Sequence, residues 1–170
     1  IILATAQGMA ICFNESDVRC MGRDAAGVRG ISLNEGDFVV GAEKVEEGKT
    51  LLTVTENGYG KRTELAEYLR TGPDGEKVPQ SRGGKGLKNY NITSKTGNIA
   101  GCRVVGDKDD VMLIENGGVI IRIPASSINV YKRDTQGVIV MRIDEGNKVV
   151  SIERVEQEEE EPADTQETQK

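Results

Sequence analysis

Histidine and tryptophan are absent from this chain, phenylalanine occurs twice, cysteine three times and proline four times. Each shortage excludes something. Without histidine there is no imidazole for a nucleophile–base pair and none to ligate a metal. Without tryptophan, and with aromatics at 4% of residues, the core has to be built from Val, Ile and Leu, whose β-branched members favour strands. Cys12, Cys20 and Cys102 are odd in number and lack Cys-x-x-Cys spacing, which argues against disulfides or zinc and for a reduced, cytosolic protein. No apolar run approaches the roughly 18 residues of a membrane span, and no basic-then-apolar leader is visible. The first residue, Ile1, already lies in an apolar run, which reads as a piece of a longer polypeptide.

Glycine, by contrast, is abundant, with 21 in 170 residues, and suits many tight turns between short strands. Apolar runs turn at Gln7-Gly8, Asn57-Gly58 and Asn116-Gly117-Gly118, and Asn-Gly between such runs is a strong hairpin signal. With Gly8, Gly58 and Gly118 in register, the position ten residues on holds Val18, Tyr68 and Ile128, all apolar. Five residues further stand Arg23 and Arg133. In the middle copy the equivalent Arg82 comes fourteen after Tyr68, so nine residues are inserted, including the turn-rich Thr71-Gly72-Pro73-Asp74-Gly75 and Pro79. Strand-like runs then follow at 28–33 and 38–45, at 87–92 and 99–105, and at 138–143 and 149–155.

Each unit is therefore about fifty residues and four short strands, the size of a blade in a radially repeated β-fold. The expected architecture is all-β, a pinwheel or propeller with about three blades over residues 1–155. Rings of this kind usually have four or more blades, so at least one blade face should be open. The net charge of -6 is uneven: residues 1–155 hold 21 cations and 21 acids, whereas 156–170 hold seven acids and one lysine. That acidic tail is expected to be disordered.

Three stretches carry a family resemblance: Gly22-Arg23-Asp24-Ala25-Ala26-Gly27-Val28-Arg29-Gly30-Ile31, residues 51–63 (LLTVTENGYGKRT), and Arg133-Asp134-Thr135-Gln136-Gly137-Val138. They are similar to the C-terminal domain of the DNA gyrase A protein, which in that family is a β-pinwheel of about six blades. The segment Gln80-Ser81-Arg82-Gly83-Gly84-Lys85-Gly86 resembles that family's gyrase A box, Q-R-R-G-G-K-G, with Ser81 replacing one arginine. It lies between later blades instead of in the first, so it reads as a degenerate box.

The resemblance implies that basic residues on the outer rim hold a bent DNA duplex, so that the ATP-driven holoenzyme introduces negative supercoils. It assigns double-stranded DNA to Arg82, Lys85, Gly83, Gly84 and Gly86, with Arg23, Arg133, Lys132, Lys61, Arg62 and Arg122 at equivalent or adjacent positions. Arginine, lysine and glycine-exposed backbone N–H groups suit phosphate contacts that read no bases. Composition alone reads the same cations as solvated surface and the glycines as turns. Expected partners are the N-terminal region of gyrase A, with its cleavage tyrosine, and gyrase B, together forming a heterotetramer. ATP and Mg²⁺ belong to that holoenzyme; no catalytic residue, metal site or cofactor is expected in this chain.

Tyr68 is expected to pack within a blade, and Asp107, Asp109 and Asp110 to form a solvated turn. Two other readings stand beside the main one. One is the C-terminal domain of topoisomerase IV, which senses DNA crossings; the other is a propeller serving as a protein-interaction scaffold.

Overall fold

Thirteen short strands and no α-helix make up residues 1–156, the part this computed structural model describes. The first unit contributes β1 (Ile2–Thr5), β2 (Met9–Cys12) and β3 (Val39–Glu43). The second contributes β4 (Thr50–Thr55), β5 (Tyr59–Glu64), β6 (Arg70–Thr71), β7 (Lys77–Val78), β8 (Leu87–Lys88) and β9 (Ile99–Val105). The third contributes β10 (Asp110–Glu115), β11 (Ile120–Pro124), β12 (Val138–Ile139) and β13 (Val149–Val155). Gly8, Gly58 and Gly118 close the β1–β2, β4–β5 and β10–β11 hairpins at φ +89°, +78° and +93°, a backbone region that side chains disfavour.

The strands pair in the orders β3-β1-β2-β8, β12-β5-β4-β9 and β11-β10-β13, all antiparallel, with β6-β7 as a separate hairpin. The two complete sheets have four strands, the number expected of a blade, and the sequence left open which unit supplies each strand. The fourth strand of each complete sheet comes from the following unit: β8 pairs with β2 through Met9↔Lys88 and Ala10↔Leu87, and β12 pairs with β5 through Tyr59↔Ile139 and Gly60↔Val138. Residues 28–33, aligned with β8 and β12 in the repeat, form no strand and pair with no sheet among the described residues. The third sheet keeps three strands, and β11 is its open edge.

The core lies between successive sheets, which is why the central strands are apolar on both faces. Ile2, Ala4, Ala10, Leu51, Tyr68, Cys102 and Val104 pack between the first two sheets. Leu52, Val54, Val111, Leu113, Ile128, Met141, Val149 and Ile152 pack between the second and third. Leu51 and Leu52 are adjacent and both fully buried, one in each cluster. Burying each such side chain contributes about 1.5–3 kcal/mol. Gly41 and Gly101 allow close approach, since a Cβ on the first would strike Cys102 and one on the second Ile152.

Short 3-10 turns at Glu15–Asp17, Leu65–Tyr68 and Ala125–Ser127 follow the second strand of each unit. The insertion forms the exposed β6–β7 hairpin and adds nothing to the core. Cys12 and Cys102 are buried free thiols, and Cys20 is an exposed one. Among the described residues no helix is long and apolar enough to cross a membrane. Of the expected acidic tail, 156–170, only Glu156 is described, paired with Arg154 at 2.6 Å, and the rest lies outside the described residues.

Candidate nucleic-acid interface

Beyond the 3-10 turn of each unit lies a largely irregular ribbon, over residues 22–33, 81–92 and 132–143, and the second and third of these carry β8 and β12 to the edge of the preceding sheet. Adjacent ribbons touch through the backbone. Gly83 N donates to Gly30 O and Ser32 N to Gly84 O, both at 2.8 Å, and Asn91 N donates to Thr135 O at 3.2 Å. The repeated arginine locks each joint. Arg82 donates from Nη1 to Arg29 O at 2.5 Å and from Nε to Asp17 O at 3.1 Å, and Arg133 donates from Nη1 to Lys88 O at 3.0 Å. Arg23 is exposed and has no such carbonyl among the described residues.

The glycines expected to cradle phosphate have a structural requirement of their own. Gly83 and Gly86 have φ of +85° and +75°. A Cβ on Gly86 would collide with Ala10 O, as one on Gly137 would with Gly60 O, because here the ribbon crosses onto the neighbouring sheet. Gly84 is exposed. Of the heptapeptide's cations, Lys85 points to solvent, while Arg82 is half-buried with part of its guanidinium engaged.

Lys61 and Arg62 are placed away from any rim. Lys61 is fully buried; its Nζ donates to Lys132 O at 2.8 Å, Arg133 O at 2.5 Å and Thr135 Oγ1 at 3.3 Å, with the Tyr90 ring 5.0 Å away. Burial pushes its ammonium down to about 7, against the pull of Asp134. Arg62 is buried too, donating to Ile128 O at 2.7 Å and Asp107 Oδ1 at 2.5 Å. Both hold neighbouring segments together because β5 is sandwiched between sheets, so a side chain there reaches protein and not solvent. Arg122 is half-exposed and ion-paired with Asp110 at 2.7 Å. Lys132 is exposed.

The acidic turn at 107–110 is only partly solvated. Asp107 holds Arg62, Asp109 holds Arg154 at 2.9 Å and Gly106 N at 2.7 Å, and Asp110 holds Arg122. Tyr68 packs as expected, its hydroxyl donating to Asn89 Oδ1 at 2.5 Å.

Sequence reasoning missed Arg29, Lys88 and Arg142, all exposed on the ribbons. The signal was the register, since Arg29 and Lys88 each stand six residues after the repeated arginine. Together the ribbons hold eight cations, Arg23, Arg29, Arg82, Lys85, Lys88, Lys132, Arg133 and Arg142, and two acids, Asp24 and Asp134. The body as a whole is neutral, so positive charge is concentrated on these segments. The middle ribbon, 81–92, carries three cations and no acid.

The chain matches the sequence model of the family described as the DNA gyrase C-terminal domain, a β-propeller, over residues 1–46, 49–78, 76–105 and 109–156. It is 42% identical over 160 residues to the DNA gyrase A protein of Staphylococcus epidermidis (strain ATCC 12228 / FDA PCI 1200), covering 93% of this chain and 17% of that protein. It is 40% identical over 166 residues to the DNA gyrase A protein of Escherichia coli (strain K12), covering 97% and 18%. The chain thus spans about a sixth of the length of these curated relatives. Among solved structures, a DNA gyrase A C-terminal domain superposes with TM-score 0.80 at 30% identity, over 91% of this chain and 50% of that one. The C-terminal domain of a DNA topoisomerase IV superposes with TM-score 0.81 at 27% identity, over 91% and 46%.

Proposed function

The chain belongs to the family of DNA gyrase C-terminal β-propeller domains, and we propose that it is a duplex-binding and DNA-wrapping module of gyrase A. The observation that carries this reading is the concentration of eight cations and two acids on three successive ribbons of an otherwise neutral body. A duplex crossing several ribbons in turn meets Arg23, Arg29, Lys85, Lys88, Lys132 and Arg142 as cations, and Arg82 and Arg133 through the N–H groups their carbonyl partners leave over. Contacts of this kind neutralise phosphates, release counterions and read no sequence, which suits a bent, wrapped segment. Gly84, with no side chain, leaves its backbone open to the same surface.

In the whole enzyme, wrapping on this surface presents a crossing to the strand-passage machinery, so that ATP-driven gyrase introduces negative supercoils in the cytoplasm. The cleavage tyrosine, in the rest of gyrase A, and the ATP site, in gyrase B, belong to partner regions of a heterotetramer. The residues here fit neither ATP nor Mg²⁺. The lysine of the glycine-rich loop, Lys85, is followed by Gly86 and not by Ser or Thr, and Asp107, Asp109 and Asp110 pair with Arg62, Arg154 and Arg122. No chemical step is therefore assigned to this chain.

The test is duplex binding by the chain and by an Arg82→Ala/Lys85→Ala variant on two unrelated sequences. Equal weakening on both supports phosphate contacts, and loss confined to one sequence contradicts them. The backbone likeness to a topoisomerase IV domain favours a second reading, recognition of DNA crossings. A bend measured on a short duplex separates the two, because only wrapping bends it.

A further inference from the structure

Where the first and third units have Ile11 and Ile121, the second has Lys61, whose side chain is fully buried. An ammonium has three N–H groups, and Lys61 directs all of them at ribbon oxygens: Lys132 O at 2.8 Å, Arg133 O at 2.5 Å and Thr135 Oγ1 at 3.3 Å. All three acceptors are neutral, so the buried charge is held without a carboxylate in contact. Lys132 O has a second donor, Thr135 Oγ1 at 2.9 Å, whereas Lys61 is the sole donor to Arg133 O among the described residues. A neutral amine keeps only two N–H groups, so one of the three oxygens then goes without.

Those oxygens belong to the joint between the second and third ribbons. Arg133 Nη1 donates to Lys88 O at 3.0 Å, Asn91 N donates to Thr135 O at 3.2 Å, and the Tyr90 hydroxyl donates to Gln136 O. Lys61 therefore bonds the backbone that presents Lys132 and Arg133, and Arg133 in turn holds the backbone of Lys88. Lys88 and Lys132 are exposed at this joint, and Arg133 is half-buried there.

The charges that face Lys61 come from each element packed against it. Burial weakens its hold on the proton, down to about 7; Asp134 on the third ribbon opposes this, Arg133 beside it adds to it, and Glu67 of the 3-10 turn opposes it. The second ribbon contributes Tyr90, whose ring lies 5.0 Å from Nζ and whose hydroxyl burial keeps neutral. The chain has no histidine to titrate in the same range.

We propose that Lys61 is a positioning residue for duplex binding, and that a duplex seated on the joint of the second and third ribbons takes up a proton there. The inference rests on the reading of the ribbons as the duplex-holding surface. A phosphate against Lys132 and Arg133 offsets the repulsion that Arg133 exerts on Lys61 and adds a negative charge of its own, so the bound state holds the proton more tightly than the free chain. By reciprocity the proton strengthens duplex binding by the same factor. Its effect on folding has the opposite sign, because burial disfavours the charged form. Duplex affinity therefore falls with rising pH over the range in which the chain itself becomes more stable, an opposition that a purely structural role for Lys61 would not produce.

Two measurements at constant ionic strength between pH 6 and pH 9 test this: duplex affinity of the chain and of Lys61→Met, and the NMR shift of Lys61 Cε in the parent with and without duplex. The parent should lose about fivefold or more in affinity from pH 6 to pH 9, the low end of ordinary couplings between sites, while Lys61→Met stays level. The Lys61 titration midpoint should move up on duplex binding, by about 0.7 pH unit for a fivefold coupling. That midpoint is read without any substitution, so it decides the matter even if Lys61→Met fails to fold. A midpoint that does not move, a parent affinity that stays level or rises with pH, or parallel profiles in parent and variant overturns the proposal and leaves the duplex-holding surface standing. A chain that binds no duplex at any pH overturns both.

Discussion

Lys61 Nζ donates to the Arg133 carbonyl at 2.5 Å, so an ammonium buried in the second sheet fixes the ribbon that carries the third unit's repeated arginine. Replacing Lys61 with Met keeps most of the stem and leaves that carbonyl without its donor. The expected loss is about 1–3 kcal/mol in urea unfolding, with faster amide exchange at 132–135. DNA affinity should fall as well, although Lys61 is out of reach of a phosphate, because Arg133 and Lys132 lose their support.

The same lysine predicts a pH dependence. Its folded value is about 7, against an ordinary 10.5. Between these the unfolded chain binds the extra proton, so stability rises with pH, by at most about 1.4 kcal/mol per pH unit. Below about 7 both states are protonated and the penalty is complete. Above about 9, Cys12 and Cys102, both pushed up by burial, act in the opposite sense. Urea midpoints between pH 7 and 8.5 should therefore climb in the parent and stay flat in Lys61→Met.

Gly58 and Gly118 share a positive φ but not their surroundings, since Met141 O crowds only the first. Gly118→Ala should cost about 1–2 kcal/mol, from backbone strain alone. Gly58→Ala should cost clearly more and expose β12. Thermal unfolding of the two variants side by side checks this, and equal losses would contradict the strand exchange.

Arg82 and Lys85 are close in sequence but have separable roles. Lys85→Ala removes an exposed cation and should leave stability within about 0.5 kcal/mol while lowering DNA affinity. Arg82→Ala also removes the bonds to Arg29 O and Asp17 O, so it should lower stability by about 1 kcal/mol in addition. Unfolding and binding measured on both single variants distinguish the two.

The repeat was legible because turn glycines and the apolar residue ten positions on are local, countable signals: Gly8, Gly58 and Gly118, then Val18, Tyr68 and Ile128. The strand exchange was not, because residues 28–33, 87–92 and 138–143 look alike whichever sheet they join, and pairing such as Ala10↔Leu87 is decided by distant edges. Lys61 and Arg62 were misplaced for a related reason. Charge after an Asn-Gly turn reads as surface, yet Lys61 stands where the other units have Ile11 and Ile121, and that alignment was the available clue to its burial. The ribbon cations at 29 and 88 needed the register carried six residues further.

The measurement that bears most directly on the wrapping surface is the salt dependence of duplex affinity for the chain and for a Lys85→Ala/Lys88→Ala/Lys132→Ala variant. All three side chains are exposed or lie at the surface, and none braces the ribbons as Lys61, Arg82 and Arg133 do. With each lost phosphate contact lowering the slope of log affinity against log salt by about 0.9, the variant's slope should be shallower by up to about 2.7. An unchanged slope, or a parent chain that fails to bind duplex at low salt, would contradict the ribbons as the DNA-holding surface.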